Sequence, residues 1–189
     1  RWSLPMLLPL TVVFLQMATL GSFWAYLEPL GKAAGLDGQS AQTLIAFVLV
    51  TQVLGGSIST LAVKRLPVVL TLIAASLALA TITLGVRGLP PGSHLAFSGA
   101  CLAFGFVWLF MLPFHLGLAF RADPSGRLAG LVPAAQLLGS AFGPLMASFT
   151  VDGDNASLVP LLSAVFAVCA GVLVLATRRS ATNGQSLPG

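Results

Sequence analysis

Charge is the property that this sequence has least of. Only 7% of its 189 residues are charged and 57% are hydrophobic, whereas a soluble domain carries about 25% charged residues. Nine basic and five acidic side chains cannot solvate a globule of this size, which excludes a soluble enzyme and a disordered chain. The net charge is +4, but no run of Lys and Arg exceeds two residues, so nucleic acid is not an expected partner.

Reactive side chains are also scarce. The two cysteines, Cys101 and Cys169, lie in apolar runs, where thiols behave as small hydrophobic side chains rather than as metal ligands or disulfide partners. The sequence has no paired carboxylates, no His/Cys cluster and no Gly-rich phosphate loop. Residues 139–143 depart from the Gly-x-Ser-Gly arrangement of intramembrane serine proteases, and no Asn precedes a Pro as in water channels. We therefore expect no enzyme activity, catalytic residue, cofactor or metal.

The few charges bound six long uncharged runs. These runs contain 26, 26, 21, 33, 24 and 23 residues, and about 20 apolar residues suffice for a helix to cross the ~30 Å hydrocarbon core. No run alternates with the two-residue period of a barrel strand. The sequence predicts an all-α integral membrane protein, with one six-helix transmembrane bundle over residues 1–179 and a disordered cytoplasmic tail over 180–189. The predicted spans are residues 4–27, 40–63, 66–86, 95–120, 128–150 and 157–177.

The basic residues predict the orientation of these spans. When the loops are assigned to alternate sides, Lys32 and Arg87 fall on one side and the other seven basic residues fall on the opposite side. Short cytoplasmic loops accumulate Lys and Arg, so we expect both termini in the cytoplasm and a multi-pass location in the cell inner membrane. The chain begins at Arg1 rather than Met, and we expect it to be cut from a longer protein.

Glycine and proline follow a regular pattern in the fifth span. Gly130, Gly139 and Gly143 are followed at once by Pro144 and then by small residues. Gly139 and Gly143 lie one helical turn apart, which allows another helix backbone to approach closely. Pro144 removes one helical hydrogen bond and permits a bend. We predict that these four residues form a helix-packing motif.

The spacing Gly-x8-Gly-x3-Gly-Pro resembles the fifth-helix motif of major facilitator superfamily transporters. The turn between the second and third spans keeps the basic pair of that family, here Lys64 and Arg65, without its acid and glycine, and is in this respect similar to the carboxy-terminal half. The resemblance covers Leu4 to Thr177. It implies an MFS-like bundle of two inverted three-helix repeats, which would be one half of a twelve-helix transporter and would work against a second six-helix bundle.

The resemblance also implies a role for each helix. The first and fourth would line the cavity, the second and fifth would face the other bundle, and the third and sixth would face lipid. The stripe of Gln52, Gly55 and Ser59 in the second span is then predicted to pack against the partner bundle. The helical period places Gln16, Phe23 and Tyr26 in one stripe of the first span, and Trp108 and His115 on one face of the fourth.

These positions give the candidate site residues. The predicted substrate-binding residues are Gln16, Phe23, Trp24, Tyr26, Trp108 and His115, and the proton-coupling candidates are Glu28 and His115. In the alternative interpretation the aromatic residues only pack, His115 bonds to a neighbouring helix, and Glu28 is an interfacial residue in water. A coupling role for Glu28 requires that burial desolvate its carboxyl group.

The expected function is secondary active transport, as symport or antiport, of a small organic solute by alternating access. Because no cluster of charges lies within the spans, an uncharged or amphipathic molecule is favoured over an inorganic ion. The expected partners are the lipid bilayer, the solute and a second six-helix bundle. Two alternatives remain open: a half-size transporter that works as a homodimer, and a non-transporting membrane assembly module.

Overall fold

The computed structural model describes residues 4–153 and 155–183, with side-chain environments for residues 7–153 and 155–177. These residues form seven α-helices and one 3-10 turn, Ala129–Leu131, and contain no strand beyond an isolated bridge between Asp152 and Asn155. The helices are α1 (Leu4–Ala25), α2 (Leu27–Ala33), α3 (Gly38–Ala62), α4 (Val68–Arg87), α5 (His94–Ala122), α6 (Val132–Ser148) and α7 (Val159–Asn183).

Six of these helices are long and apolar enough to cross a membrane. They are α1 and α3 to α7, and they confirm the all-α membrane bundle and the six predicted spans. The first span is shorter than predicted, because the backbone at Tyr26 (φ −112°, ψ 15°) leaves the helical region and a separate short helix, α2, follows. The fifth span begins with the 3-10 turn, so the α-helix proper starts at Val132.

The carboxy-terminal end corrects a prediction. The last helix continues to Asn183, four residues into the segment 180–189 that the sequence predicts to be a disordered tail. Residues 184–189 lie outside the described residues, as do Arg1 and Asp154. An apolar helix that has already formed can extend for a turn beyond the last apolar residue, because each added residue closes one more hydrogen bond.

The helices pack in pairs that repeat. α1 packs on α6 and α7, α5 packs on α3 and α4, and α4 packs on α7, while α1 and α5 meet at the centre. If α1, α3 and α4 are matched in that order with α5, α6 and α7, the α1–α6 pairing corresponds to α5–α3 and the α1–α7 pairing to α5–α4. The α4–α7 and α1–α5 pairings each correspond to themselves. This correspondence between the first and the last three spans is the pattern expected of two three-helix repeats.

Burial is uneven across the bundle. The bundle covers 61% of the apolar stretch of α1 but only 22% of that of α3 and of α6. α3 contributes to the interior through a single stripe of small and apolar residues that faces α5, and large apolar side chains such as Phe47 and Leu61 cover the rest of its surface. α1 is thus the central element of the bundle, and α3 and α6 are its most exposed spans.

Candidate functional site

A chain of hydrogen bonds joins polar side chains from four spans in the centre of the bundle. His115 on α5 lies between two glutamines: its Nε2 is 2.7 Å from Oε1 of Gln16 on α1, and its Nδ1 is 3.1 Å from Nε2 of Gln136 on α6. The other end of the Gln16 amide reaches α4, where Nε2 donates to Ser76 Oγ at 2.8 Å and to the Leu72 carbonyl oxygen at 3.2 Å.

The partners of this chain define the tautomer of His115. The Gln16 amide nitrogen donates to α4, so its carbonyl oxygen must face the ring and accept a proton from Nε2–H. On the other side, the Gln136 amide nitrogen donates to Nδ1, which must carry the lone pair. His115 is therefore the neutral Nε2–H tautomer, and every bond in this chain of hydrogen bonds has one donor and one acceptor.

The members of the chain differ in exposure. Gln16 and His115 are completely buried and Ser76 is 1% exposed, whereas Gln136 is half-buried. A buried polar group is costly unless it is hydrogen-bonded, and among the described residues no buried side-chain nitrogen or oxygen lacks a partner. The imidazole is the only ionisable group among these hydrogen-bonded side chains, and Gln136 is the only one of them that is not buried.

Aromatic rings from α1 and α5 form a cluster in the same bundle. Phe23 and Phe104 lie 4.6 Å apart and are completely buried. Trp24 and Trp108 make an edge-to-face pair, with ring centroids 5.5 Å apart and ring planes at 81°, and Phe104 approaches Trp108 edge-on at 6.2 Å. This geometry suits the aromatic quadrupole, and it leaves both tryptophans half-buried.

The predicted substrate-binding residues therefore separate into two groups. Trp24, Tyr26 and Trp108 are half-buried and reach the surface of the bundle. Gln16, Phe23 and His115 are fully enclosed by the described bundle and do not reach its surface. Helical arithmetic finds residues that share a face, but which neighbouring helix covers that face is a property of the packing. The alternative interpretation, a histidine bonded to neighbouring helices, describes His115 as the structure has it.

Glu28 lies outside the buried set. It is on α2, its side chain is 56% exposed, and its Oε1 lies 2.8 Å from Nζ of Lys32, one turn further along. This exposure contradicts the desolvation that a proton-coupling role for Glu28 requires. The first span ends at Ala25, two residues earlier than predicted, so Glu28 falls on the surface helix beyond it.

The packing role of Gly139 and Gly143 is confirmed. A Cβ atom on Gly139 would collide with the carbonyl oxygen of Phe14, and one on Gly143 with that of Ala18, so α6 and α1 are in backbone contact. Pro144 lies inside α6. Gly130 does not belong to this motif, because it lies in the 3-10 turn and a Cβ there would meet nothing within 4 Å.

A second close approach joins α3 to α5. A Cβ atom on Gly55 would collide with the carbonyl oxygen of Phe106, and one on Gly105 would come within 2.6 Å of Val48. The stripe of Gln52, Gly55 and Ser59 therefore packs inside its own bundle, which corrects the prediction that it faces a partner bundle. Small residues identify a tight contact, but the sequence does not say with which helix.

Two members of the polar chain, Ser76 and Gln136, are not among the predicted site residues. Ser76 lies in a span that was predicted to face lipid, although its hydroxyl accepts from Gln16 in the interior. Gln136 is absent from the predicted site residues, although its amide bonds to His115. A glutamine in a transmembrane helix is a signal in its own right, because an unsatisfied amide in hydrocarbon is expensive. Ser76 gives no such signal, since serine can bond to its own helix.

An open cleft of about 420 Å³ lies between the beginnings of α3 and α5. Asp37, Ser40, Thr43 and Phe47 line it from one side, and Ser98 and Leu102 from the other. His115 lies 17 residues further along α5 than Ser98, a distance of about 25 Å in a helix. The cleft and the polar chain are therefore at different depths of the bundle.

Metal binding has no support within the described ranges, which contain no group of three or more His, Cys, Asp or Glu side chains that could hold an ion. Comparisons of the chain with protein-family models, with curated proteins and with solved structures give no match.

Proposed function

We propose that this chain is one six-helix half of a secondary active transporter of the major facilitator type. The observation that carries the proposal is the repeated pairing of the helices, in which α1 with α6 and α7 corresponds to α5 with α3 and α4. Three crossings separate corresponding helices, so the two repeats run through the membrane in opposite directions. Inverted repeats of this kind are the usual architecture of secondary transporters.

The uneven burial supports a second bundle as the partner. α3 and α6 are covered least by their own bundle, and they flank the central pair of α1 and α5 on the two sides. A single six-helix bundle supplies one wall of a cavity, whereas alternating access requires two bundles that rock against each other. The second bundle is another part of the same natural protein or a second copy of this chain, and the lipid bilayer covers the remaining surface.

The half-buried aromatic residues indicate the class of solute. Trp24, Tyr26 and Trp108 offer ring surface and polar ring atoms. In the described spans Asp, Glu, Lys and Arg occur only near helix ends, as Arg87, Arg121, Arg178 and Arg179. A small organic molecule, uncharged or amphipathic, fits such a lining better than an inorganic ion. Gln16, Phe23 and His115 would act behind this surface.

A transport assay tests the proposal. The natural protein that carries this chain is reconstituted in proteoliposomes with an imposed proton gradient, and uptake of a labelled sugar, amino acid and lipophilic amine is measured. We expect saturable transport of at least one solute, reduced in Trp108→Ala and preserved in Phe120→Ala, a matched exposed aromatic on the same helix. If no solute moves, a non-transporting assembly module is favoured. If this chain alone transports as a dimer, a half-size transporter is favoured.

We also propose that both ends of the chain face the cytoplasm of a cell inner membrane. Seven of the nine basic residues lie on that side, among them Arg121, while Lys32 and Arg87 lie on the other. Single cysteines introduced at 32 and 121 are to be labelled in intact cells with a membrane-impermeant maleimide, in a background without Cys101 and Cys169. Labelling at 32 and none at 121 is expected, and the reverse would invert the topology.

A further inference from the structure

We infer that His115 is a proton-binding group and that Gln136 is the positioning residue through which its protonation acts on α6. The inference deepens the proposed function, on which its consequence for transport rests. It starts from the direction of the polar chain: Nε2–H of His115 already donates to Gln16, so an incoming proton has only the Nδ1 lone pair to bind.

The proton has one way in. Gln16, Ser76 and the Leu72 carbonyl group are enclosed on the Nε2 side. On the Nδ1 side, Gln136 is half-buried and holds the ring through the longer bond, 3.1 Å against 2.7 Å. Water that reaches Gln136, the partner of His115 that is not buried, can deliver a proton to Nδ1 and take it back when the histidine is released.

Protonation of His115 requires one rearrangement in the polar chain, at Gln136. Once Nδ1 carries a proton, it faces the NH2 group of Gln136, and two donors cannot bond to each other. Gln16 already accepts from Nε2–H and keeps its bonds to α4, so the enclosed side needs no rearrangement. Gln136 must instead turn its amide so that Oε1 accepts from Nδ1–H, and its NH2 group then points toward the exposed side of α6.

The rotation of the Gln136 amide alters a contact between α6 and α5. α6 packs mainly on α1, where Gly139 and Gly143 allow backbone contact, and the bond from Gln136 to His115 is a polar link from α6 to α5. A charged imidazolium is costly in a low-dielectric interior. The proton therefore binds in the conformation in which water reaches the Gln136 side of His115. A site that couples proton movement to transport requires such a dependence of proton binding on conformation.

No other ionisable group competes for this role within the neighbouring spans. α1, α3 and α6 contain no described Asp, Glu, Lys or Arg, and those of α4 and α7 lie at the helix ends, Arg87 on α4 and Arg178 and Arg179 on α7. On α5 itself the nearest charges are Arg121 and Asp123 at the end of the helix. Ser125, the Leu128 amide and Arg127 lower the pKa of the Asp123 carboxyl group, so Asp123 remains ionised when a histidine titrates. The remaining titratable side chains described in these spans and at the end of α1 are Tyr26, His94 at the beginning of α5, Cys101 and Cys169.

The test is nitrogen NMR of the natural protein, labelled with 15N-histidine in lipid nanodiscs and titrated with acid. This chain has two histidines, so a His94→Asn variant identifies the signals of its His115, and any further histidine of the natural protein is assigned in the same way. We expect the neutral Nε2–H tautomer at high pH. Gln136→Glu places an acceptor-only carboxylate beside Nδ1 and should raise the protonation midpoint by about 1–3 pH units, the effect of an opposite charge at this distance.

A matched control separates the effect of direct contact with His115 from the electrostatic effect of any negative charge added to the bundle. Gln52→Glu introduces the same charge at a buried glutamine of α3, in the other close-packed helix pair, and should leave the His115 midpoint unchanged. An Nδ1–H tautomer in the unaltered protein, a His115 that stays neutral in Gln136→Glu, or an equal shift in Gln52→Glu would each overturn the inference.

The transport assay distinguishes failure of the inference from failure of the proposed function. If Gln136→Glu shifts the pH profile of uptake in the direction of the NMR midpoint, both stand. If His115 titrates as expected but no solute is transported, the proton site stands and the proposed function fails. If transport is observed and His115 does not titrate, the inference fails and the proposed function stands.

Discussion

Two helix pairs of this bundle use the same packing device in different surroundings. In the α1–α6 pair, Gly139 and Gly143 of α6 and Gly21 of α1 each face backbone of the other helix. In the corresponding α5–α3 pair, Gly55 faces the backbone of Phe106, and Gly105 faces Val48. Both pairs therefore bring two backbones together where a side chain would separate them.

The two pairs differ in how far the neighbouring helices enclose them. α1 is enclosed between α6 and α7, and 61% of its apolar stretch is buried. α3 packs mainly on α5 and is exposed on its remaining sides. The polar chain also uses both helices of the first pair, with Gln16 on α1 and Gln136 on α6, whereas the second pair contributes only His115 and α4 contributes Ser76. The first pair is thus held by the enclosure of α1 and by the bond from Gln136 to His115, whereas α3 in the second pair has room to move outward.

The largest expected effect is in the α1–α6 pair. In Gly143→Ala the new Cβ would collide with the Ala18 carbonyl oxygen and come within 2.7 Å of the Ser22 backbone nitrogen. α1 cannot move away because α7 holds it on its other side, and the bond from Gln136 to His115 ties α6 to α5. We expect the free energy of unfolding to fall by about 3 kcal/mol, at the upper end of the usual cost of overpacking. Thermal unfolding in detergent, followed by tryptophan fluorescence, measures it.

A matched control is Gly99→Ala on α5, where the added Cβ would meet nothing within 4 Å. Alanine is a better helix former than glycine, so this variant should be as stable as the parent or slightly more stable. Equal losses in the two variants would show that the α1–α6 backbone contact does not limit stability.

The next effect concerns the polar chain. Gln16→Leu removes the acceptor for His115 Nε2–H and the donor to Ser76 and Leu72. A buried donor that loses its partner costs about 1–3 kcal/mol, so we expect a loss of about 2 kcal/mol in the same unfolding assay.

The control for the polar chain is Ser59→Ala. This buried hydroxyl of α3 bonds only to the Gly56 carbonyl oxygen of its own helix, and its removal should change stability by less than Gln16→Leu does. A Gln16→Leu variant as stable as Ser59→Ala would contradict the energetic role assigned to the chain.

The corresponding change in the α5–α3 pair should cost less. Gly55→Ala directs a Cβ at the Phe106 carbonyl oxygen, a clash as close as that of Gly143→Ala. Because α3 is exposed on its other sides, it can move outward, and we expect a loss of about 1 kcal/mol, the lower end of the overpacking range. A loss equal to that of Gly143→Ala would show that α3 is held as firmly as α1 and would remove the contrast between the pairs.

The smallest effect is at the beginning of α3. Asp37 caps this helix, with Oδ1 accepting from the Ser40 backbone nitrogen at 2.6 Å, and this bond lowers the pKa of its carboxyl group. A pKa that folding lowers gives stability above the ordinary value of an aspartate, and this stability is lost as the pH falls through the lowered value. We expect Asp37→Ala to lower Tm slightly at neutral pH. The difference from the parent should diminish in acid, and a difference that is independent of pH would contradict this explanation.

Much of the architecture was predictable because membrane insertion is a one-dimensional constraint. A helix needs about 20 apolar residues to cross the hydrocarbon core, so the spacing between Arg65 and Arg87, or between Arg87 and Arg121, limits each span directly. The six observed spans begin and end within a few residues of these limits. Tyr26, where the first span ends early, was not predictable in this way, because a break in the backbone between apolar residues leaves the hydropathy unchanged.

The candidate site was predictable only as a set of residues. Gln16 and His115 stand out because amides and imidazoles are rare in apolar spans, and the structure joins them at 2.7 Å. That Gln136 and Ser76 complete the chain, and that Gln16 and His115 are enclosed rather than lining a cavity, depends on contacts between residues as many as 99 positions apart. Hydrophobic periodicity carries no information about such contacts, since it describes one helix at a time.

The sequence by itself determined the number of spans, the helical class and the close approach at Gly139 and Gly143, because these follow from hydrocarbon thickness and from the absence of a side chain. Only the tertiary structure decided that α6 makes this approach to α1, that α3 makes its own to α5, and that His115 is held in one tautomer. The physical reason is that lipid tails are as apolar as the side chains. Hydrophobicity therefore drives each helix into the membrane but does not select its neighbour, and shape and hydrogen bonding make that choice.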